Sequence, residues 1–390
     1  MDNKPHILML PSWYIPEGGQ FCRNQAQVLC KKGLNVNVLA NVSISWKKYK
    51  FQSFIFPWKT FASEEDGLLV LRKFTRTFPF FRRLNGLIWS WRTLKAFDKY
   101  VIIYGKPDLI HVHSVLWGGY AAYLIQKKRG VPYIITEHKG IFGESCDYAK
   151  KQFEKWQTPF MEKAFSNAKT IVLVSNNLRP KINTYLTSNV PFLEISNVVD
   201  TDFYYLKERK IGEDIKIVAV NCFLFVKAYD ILLPAFDKVC DETSNVRLKI
   251  VGEYFERSEF QEIWTSIIHK DKISFSGELD SFGVREELWN ANIFVISSRV
   301  ESQSVSTLEA LSTGLPIVCT TVIPKKMANN ETAIVVPVED IDALADGIIK
   351  MAKNFRNYDN KMISDSVKNY AGKDVISAKL IELYSQILSQ

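Results

Sequence analysis

The sequence has few cysteines and no long hydrophobic run, and each shortage excludes a class of protein. Its six cysteines include no C-x-x-C pair, which argues against a zinc cluster, a redox pair and a secreted disulfide framework. No uncharged apolar stretch reaches the roughly 18 residues that a membrane-spanning helix needs. The first apolar run is also too short for a signal peptide. We therefore expect a protein of the reducing cytoplasm that does not span a membrane.

The composition, 47% apolar and 24% charged, is typical of globular proteins. Short runs rich in Val, Ile and Leu alternate with helical patterns, as in βαβ units with a mostly parallel sheet. The runs lie near 6–12, 36–40, 68–72, 109–113, 133–137 and 170–175, and again near 215, 247, 273, 292, 316 and 333. The pattern predicts two doubly wound α/β domains, 1–205 and 206–374, with a ligand cleft between them. Further helices are expected near 340–354 and 378–388.

The residues after each predicted strand are the candidate site, because ligands of open α/β sheets bind beyond the carboxyl ends of the strands. Gly18 and Gly19 follow the first strand and precede a helix. Paired glycines there let a phosphate approach the backbone and the helix N-terminus. An ordinary turn explains the two glycines equally well, and the pattern is not the G-x-G-x-x-G of dinucleotide-binding proteins.

Three histidines lie at predicted strand ends. His111 and His113 stand two apart on one strand face, which suggests a metal site, but no third ligand accompanies them and a hydrogen-bonded structural histidine is more common. His138 follows the strand YIITE and is flanked by Glu137 and Lys139, so we expect it at the rim of the cleft. On the residues alone, a structural role for His138 is favoured over a functional one.

The second predicted domain offers a lysine and two carboxylates. Lys227 follows the domain's first strand, where an ammonium group can neutralise a diphosphate leaving group, although most surface lysines have no such role. Glu301 ends the strand NIFVISSRV and Glu309 opens the next helix, so both can accept hydrogen bonds from sugar or ribose hydroxyls. The spacing E-x7-E recurs elsewhere in the chain, and Ser306 with Glu309 also matches a helix capping box.

The net charge of +8 is concentrated in the segment 46–106, where 13 Lys and Arg accompany only 4 Asp and Glu. This basic segment also holds 16 of the 50 aromatic residues. Interleaved cations and rings suit an anionic membrane surface, where rings lie at headgroup depth. A helix with a solvated basic face is the alternative of comparable weight, and nucleic acid is a weaker one. We expect membrane contact and no nucleic-acid binding.

The order of these motifs resembles the family 4 retaining glycosyltransferases. Residues 292–319, NIFVISSRVESQSVSTLEALSTGLPIVC, are similar to the family signature of a strand, Ser-Arg, E-x7-E, and Gly-x-Pro before the next strand. Similar segments run along nearly the whole chain: PSWY with the Gly-Gly loop and GQF, PDLIHVH, VPYIITEH, TIVLVSNNL, ISNVVDTDF, the Lys227 loop, KIVGE and ISFSGEL. The resemblance implies the GT-B fold of two facing Rossmann-like domains, with a terminal helix at 375–390 that returns to the first domain.

The resemblance also implies roles for the candidate residues of the second domain. Glu301 would hold hydroxyls of a donor sugar, and Glu309 would bind the ribose of its nucleotide. Backbone groups of Gln303, Ser304 and Val305 would contact the sugar and the phosphate at the start of a helix.

The remaining candidates surround the reacting centre if the resemblance holds. Lys227 would stabilise the departing diphosphate. In the first domain, His138 would lie near the donor sugar, and Gly18 and Gly19 would approach the diphosphate.

The sequence departs from the family pattern at three places. Asn221 and Cys222 stand where Gly-Arg is frequent, so one phosphate-binding cation is missing. Ala228 stands where a glycine commonly follows the lysine. TTVIPKK replaces a frequent Gly-Gly, and its Lys325 or Lys326 is a candidate for the missing charge.

The implied activity is a metal-independent transfer, with retention, from a nucleotide diphosphate-sugar to an acceptor, with no bound cofactor. The expected acceptor is a saccharide or lipid-linked saccharide of cell-surface polysaccharide assembly. The expected location is the inner face of the cytoplasmic membrane, as a peripheral protein. A non-catalytic relative that binds nucleotide or glycan as a scaffold, and a nucleotide-sugar epimerase, are the alternatives.

Overall fold

A computed structural model describes residues 4–15, 18–57, 59–143, 147, 152–209, 212–222, 225–253 and 258–389 of the chain. The chain forms two compact units. Unit 1 comprises 1–139, 153–198 and 376–390, and unit 2 comprises 140–152 and 199–375. The units are thus divided at 139/140, 152/153, 198/199 and 375/376, whereas the sequence pattern predicted domains of 1–205 and 206–374. Trp58 of the basic segment lies outside the described residues.

Unit 1 is built on an eight-stranded sheet. Its strands are β1 (His6–Pro11), β2 (Asn35–Ser45), β3 (Phe61–Glu65), β4 (Leu68–Thr77), β5 (Leu109–His113), β6 (Tyr133–Glu137), β7 (Ile171–Leu173) and β8 (Phe192–Glu194). They lie in the order β3-β4-β2-β1-β5-β6-β7-β8. Every neighbouring pair is parallel except β3 with β4. Strands β1, β5 and β6 are buried at every residue, as expected of a sheet covered on both faces.

The helices of unit 1 connect these parallel strands. They are α1 (Gln20–Lys31), α2 (Trp46–Tyr49), α3 (Arg82–Tyr104), α4 (Tyr120–Arg129), α5 (Thr158–Ser166) and α6 (Arg179–Asn183). Helix α3 follows β4 and therefore begins at the carboxyl edge of the sheet. Gly86 lets α3 approach the segment after β5, because a Cβ at this position would lie 1.9 Å from the Trp117 ring.

Unit 2 repeats the doubly wound pattern with six parallel strands. Its strands are β9 (Ile215–Val220), β10 (Val246–Val251), β11 (Ile273–Phe275), β12 (Ile293–Ile296), β13 (Ile317–Thr320) and β14 (Ala333–Val336), in the order β11-β10-β9-β12-β13-β14. Its helices are α7 (Tyr229–Glu242), α8 (Ser258–Ser266), α9 (Ser281–Asn290), α10 (Val305–Ser312), α11 (Ile341–Asn354) and α12 (Asn360–Ala371).

The last helix, α13 (Lys373–Leu388), packs into the core of unit 1. The buried residues that do so are Ile376, Leu380, Leu383, Tyr384 and Ile387. Their spacing is that of one helix face. The Tyr384 hydroxyl also hydrogen-bonds Nδ1 of His111 at 2.7 Å, so the final helix is tied to the middle of the unit 1 sheet.

The structure confirms the predicted α/β class and the twelve predicted strands. Two strands were missed, and both are edge strands. β3 (Phe61–Glu65) is largely exposed and carries polar residues, so it lacks an apolar run. β8 (Phe192–Glu194) has only three residues, none fully buried. None of the described helices combines the length and the hydropathy needed to cross a membrane.

Candidate functional site

In unit 2 the strand ends bring Glu301 and Lys227 together. Glu301 follows β12 in an otherwise buried turn and is 7% exposed. Its Oε1 accepts hydrogen bonds from Lys227 Nζ at 2.5 Å and from Ser298 Oγ at 2.8 Å. A buried carboxylate is stable only when it is paired and hydrogen-bonded in this way. The two candidates, 74 residues apart, thus form one ion pair.

The backbone of the Lys227 loop is held by hydrogen bonds from a serine side chain that follows β12. Ser297 Oγ donates to the carbonyl oxygens of Lys227 and Ala228 at 2.9 and 3.1 Å. Ala228 adopts φ 52°, ψ 51° at the start of α7. This left-handed conformation explains why a glycine is the common residue here, and alanine adopts it at a cost of roughly 1–2 kcal/mol.

Arg299 binds the residues on both sides of the Lys227 loop. Its side chain is 2% exposed and donates to Asp230 at 2.6 and 2.8 Å, to Glu339 and to the carbonyl oxygen of Phe225. Burial would lower the pKa of Arg299, but the hydrogen bonds to Glu339 and Asp230 raise it above its ordinary value. The Ser-Arg of the sequence signature contains this arginine, but the signature did not predict its contacts, because its partners lie far along the chain.

Four candidate residues lie at the start of helix α10. Gln303 and Ser304 precede the helix, Val305 is its first residue, and Glu309 lies in its second turn. Ser304 is the N-cap and its Oγ accepts from Thr307 N, so the helix begins at Val305. The alternative capping box is therefore wrong: Ser306 already lies inside the first turn. Thr307 N is thus occupied by the cap, and the amides of Val305 and Ser306, which have no helical acceptor, can serve an anion.

Glu309 is partly buried on α10, and burial raises the pKa of its carboxyl group to about 7. The Tyr204 hydroxyl hydrogen-bonds this carboxyl group and opposes the shift. The Gln303 side chain bonds a different tyrosine: its Nε2 donates to the Tyr370 hydroxyl at 3.0 Å. Lys326 lies over the Tyr370 ring at 5.8 Å. Tyr370 thus contacts both Gln303 and Lys326, and Lys326 belongs to the segment TTVIPKK that replaces the frequent Gly-Gly.

In unit 1 the Gly-Gly turn and His138 meet through Phe21. Gly18 and Gly19 have φ 96° and 86°, and Gly19 caps α1. The turn brings the Phe21 ring onto the imidazole of His138, with centroids 3.8 Å apart and planes inclined by 23°. The stacked ring fixes the plane of the imidazole, a contact that no sequence pattern indicated.

His138 is also the end of a row of three stacked histidines. His113 Nδ1 and His138 Nε2 share a hydrogen bond of 3.0 Å, and the rings of His111 and His113 stack at 4.6 Å. Burial lowers the pKa of His113 to about 3 and the pKa values of His111 and His138 well below 6.5. All three are therefore neutral at pH 7.

A buried carboxylate positions the backbone of this histidine. Glu137 is fully buried and accepts from Ser114 Oγ, Val115 N, His138 N and Lys139 N at 2.8–3.0 Å. It ties the ends of β5 and β6 together. Among the described residues, no group of three or more His, Cys, Asp and Glu side chains has the arrangement of a metal site.

Replacing Gly19 with alanine is expected to destabilise the chain by about 2–4 kcal/mol. A Cβ there would lie 2.4 Å from the carbonyl oxygen of Trp13 and 2.9 Å from Tyr14 Cα. Gly67→Ala is the matched control, since Gly67 also has positive φ, 77°, but open space around its Cβ direction. Thermal melting of both variants measures their losses of stability, and we expect the larger loss in Gly19→Ala. Equal losses would contradict the tight contact at Gly19.

The comparisons with known proteins agree with this arrangement. Residues 19–203 match the family described as Glycosyltransferase Family 4, and residues 215–354 match Glycosyl transferases group 1. The putative teichuronic acid biosynthesis glycosyltransferase TuaC of Bacillus subtilis is 24% identical over 360 residues, which cover 87% of this chain and 86% of that one. The N-acetyl-alpha-D-glucosaminyl L-malate synthase of Bacillus anthracis is 23% identical over 292 residues, 72% of this chain and 74% of that one.

A solved structure shows the fold over nearly the full length. Anabaena HepE, crystallised in complex with UDP, superposes with a TM-score of 0.73 at 12% identity and covers 98% of this chain and 100% of that one. The two family matches together span both units of the chain. The chain is therefore an enzyme that belongs to the family 4 glycosyltransferases with the GT-B fold.

Proposed function

We propose that the chain transfers a sugar, with retention, from a nucleotide diphosphate-sugar to a lipid-linked saccharide in cell-surface polysaccharide assembly. The observation that carries the proposal is the Lys227–Glu301 pair at the carboxyl edge of the unit 2 sheet, next to the first turn of α10. HepE, with the same fold, was solved with UDP, and TuaC is named for teichuronic acid biosynthesis. Both support a nucleotide-linked donor and a glycan product.

The geometry suggests a division of labour on the donor. Lys227 Nζ would leave Glu301 for the diphosphate as negative charge develops on the leaving group, and the α10 amides would add fixed dipoles. Glu301 would then accept from hydroxyls of the sugar ring, held by Ser298. Glu309 would accept from the ribose hydroxyls.

Retention follows if the acceptor attacks the face from which the diphosphate leaves. The diphosphate oxygen would take the acceptor's proton, so neither carboxylate needs to act as acid or nucleophile, unlike in a glycosidase. His138, neutral at pH 7 and fixed by Phe21 and His113, would hydrogen-bond the donor sugar, as the family resemblance implies. Its role would be to orient the sugar.

Thermal shift with UDP-glucose, GDP-mannose and ADP-glucose tests the donor site. A ligand at 100 times its dissociation constant adds about 2.7 kcal/mol of stability, and we expect one nucleotide to do so with the wild type and not with Glu309→Ala. Nucleotide release with extracted lipid acceptors then tests transfer. Binding without release would indicate a scaffold, and conversion of the donor sugar without acceptor would indicate an epimerase.

We expect donor affinity to fall as the pH drops below about 7. Ribose hydroxyls donate to the carboxylate form of Glu309, whose pKa is raised to about 7, so protonation removes the acceptor. The loss should approach tenfold between pH 8 and pH 6. Titration calorimetry with the nucleotide sugar measures it, because its diphosphate diester does not titrate in this range. In Glu309→Gln the affinity should be weaker and independent of pH, and an unchanged slope would contradict the assignment.

The membrane part of the proposal rests on the outer surface of α3 and the segment before it. Leu84, Ile88, Trp91 and Lys95 follow one another at helical spacing and are all exposed. The basic segment carries further exposed apolar side chains, and those of Phe51, Ile55, Phe80 and Ile102 are 78–96% exposed. Beside them a cationic pocket is lined by Lys73, Arg92, Lys95 and Lys99. Apolar rings with neighbouring cations favour an anionic bilayer surface.

Vesicle sedimentation tests this surface. The wild type is expected to bind phosphatidylglycerol vesicles at low salt and to bind phosphatidylcholine vesicles weakly. Lys95→Gln with Lys99→Gln should reduce binding about thirtyfold, at roughly 1 kcal/mol per cation. Lys127→Gln with Lys128→Gln on α4 is the matched control, since it removes two lysines from another helix of unit 1. Equal losses in both pairs would mean that only net charge matters.

A further inference from the structure

Unit 1 contains a cavity that the proposed donor site does not use. It has a volume of about 250 Å³, and we call it the tryptophan cavity. Its lining residues are Ser43, Thr77, Arg82, Asn85, Gly86, Trp89, Trp117, Trp156 and Gln157. Ser43 lies near the end of β2, Thr77 ends β4, and Trp117 follows β5. The cavity therefore opens at the carboxyl edge of the unit 1 sheet, the edge that also carries the Gly-Gly turn and His138.

Two partly exposed indole rings form one wall of the cavity. The Trp117 and Trp156 rings are nearly parallel, inclined by 24° with centroids 6.0 Å apart. Phe160 packs edge-on against Trp117, with centroids 5.3 Å apart, and so supports the pair. Gly86 makes room for the Trp117 ring against α3. Such a rigid aromatic wall offers apolar area at little entropic cost, and it matches the C–H face of a pyranose ring.

Arg82 and Trp156 at the cavity carry hydrogen-bond donors, and Glu154, which accepts from both, adds a carboxylate acceptor. Arg82 Nη1 donates to Glu154 Oε1, and Trp156 Nε1 donates to Glu154 Oε2. The Glu154 carboxylate, beside the lining residues, also accepts from the Gln157 backbone amide; since an arginine has five N–H donors and a carboxylate about four acceptor positions, the pair retains several donors and about one acceptor position. Sugar hydroxyls need both, since each donates and accepts. Because the rim pair is formally neutral, it favours an uncharged ring over a phosphate.

The rest of the rim is preorganised. Asn85 donates to the carbonyl oxygen of Phe78 at 2.6 Å and accepts from its amide at 3.2 Å, which fixes the turn into α3. Gln157 Oε1 accepts from Glu154 N at 2.8 Å in a capping box. Exposed Phe80 and Phe81 directly precede Arg82. One lipid-linked acceptor could therefore place its lipid against these two rings and its sugar in the cavity.

We propose that the tryptophan cavity binds an uncharged sugar ring of the acceptor, stacked on Trp117 and Trp156 and hydrogen-bonded by Arg82 and Glu154. The proposal rests on the proposed function, since it names where the acceptor of that reaction is held. It differs from the donor site in unit and in residues, so the two can fail separately.

Titration of intrinsic fluorescence with octyl glycosides of glucose, galactose, mannose and N-acetylglucosamine tests the cavity. The wild type is expected to bind at least one of them, and Trp156→Ala to weaken that binding on the order of tenfold. Trp156→Phe keeps an aromatic wall and should lose less. Since changing a tryptophan alters the signal, competition against a fluorescent glycoside gives the variants' affinities.

Arg82→Gln is the second variant, with Arg129→Gln as its matched control. Both arginines are exposed and pair with one carboxylate, but Arg129 pairs with Asp98 away from the cavity. Only Arg82→Gln should weaken glycoside binding, and the nucleotide-induced thermal shift should be unchanged in every variant. A wild type that binds no glycoside, variants that bind like the wild type, or displacement of the glycoside by inorganic pyrophosphate would each overturn the proposal. Loss of the nucleotide shift in the wild type would instead overturn the donor site.

Discussion

Replacing Lys227 with glutamine is expected to lower kcat/KM for sugar transfer by about 10²–10³-fold. The side chain is largely buried, with 18% exposed, and its Nζ lies 2.5 Å from Glu301 Oε1. In the proposed mechanism the diphosphate gains charge as the glycosidic bond breaks, and this ammonium group would stabilise that charge. The sequence has Cys222 where the resemblance implies an arginine, so the loss of Lys227 would remove a larger share of that stabilisation.

The prediction is measured by nucleotide release over a range of donor concentrations, which gives kcat and KM separately. A group that acts on the leaving diphosphate changes kcat more than it changes donor affinity. Lys249→Gln is the matched control, because Lys249 also pairs with a glutamate of unit 2, Glu287 at 3.7 Å, outside the candidate site. A Lys227→Gln enzyme that keeps kcat and loses only donor affinity would show that the lysine binds the ground state and the transition state equally.

Replacing Arg299 with methionine is expected to lower the free energy of unfolding by about 2–4 kcal/mol. The guanidinium group joins the β12 end to Asp230, to Glu339 and to the carbonyl oxygen of Phe225. Its removal leaves two carboxylates side by side and one carbonyl without its donor. Because both carboxylates are partly exposed, water recovers part of the loss, and the effect stays below that of a fully buried pair.

Arg299→Met should also reduce activity, since the freed segment carries Lys227. Chemical denaturation measures the stability, and the triple variant with Asp230→Asn and Glu339→Gln is the control for charge. If the paired carboxylates cause the loss, the triple variant should regain part of it. A melting curve of Arg299→Met that matches the wild type would contradict the role of this arginine as an anchor.

The sequence predicted the elements whose signal is local. The buried strands are continuous apolar runs, and the E-x7-E motif lies on one strand end and the helix after it, so both were recognisable. The ion pair of Lys227 with Glu301 was not, although both residues were singled out, because periodicity does not give the distance between two loops. Arg299, Glu137 and Phe21 stand in the quoted motifs, but their contacts were not predicted for the same reason.

The residues whose contacts were not predicted share a physical character. Each acts through partners that the fold, and not the local chain, brings near: Arg299 reaches Glu339 and Phe21 reaches His138. Glu309 shows the complementary case. Its spacing was visible, but its raised pKa depends on burial around α10, which only the packed structure defines. Local patterns thus locate the site, and tertiary packing sets its chemistry.

The position of α13 has a consequence for the order in which the protein is made. Unit 1 receives Tyr384 and its neighbours from the last helix, yet its other strands and helices end at residue 198. During synthesis at about 5–20 residues per second, these other elements wait roughly 10–40 s for the helix that completes their core. Meanwhile β1 and β2 lack part of their apolar cover. Ribosome-bound chains that end before residue 376 should therefore expose this face of unit 1 to chaperones.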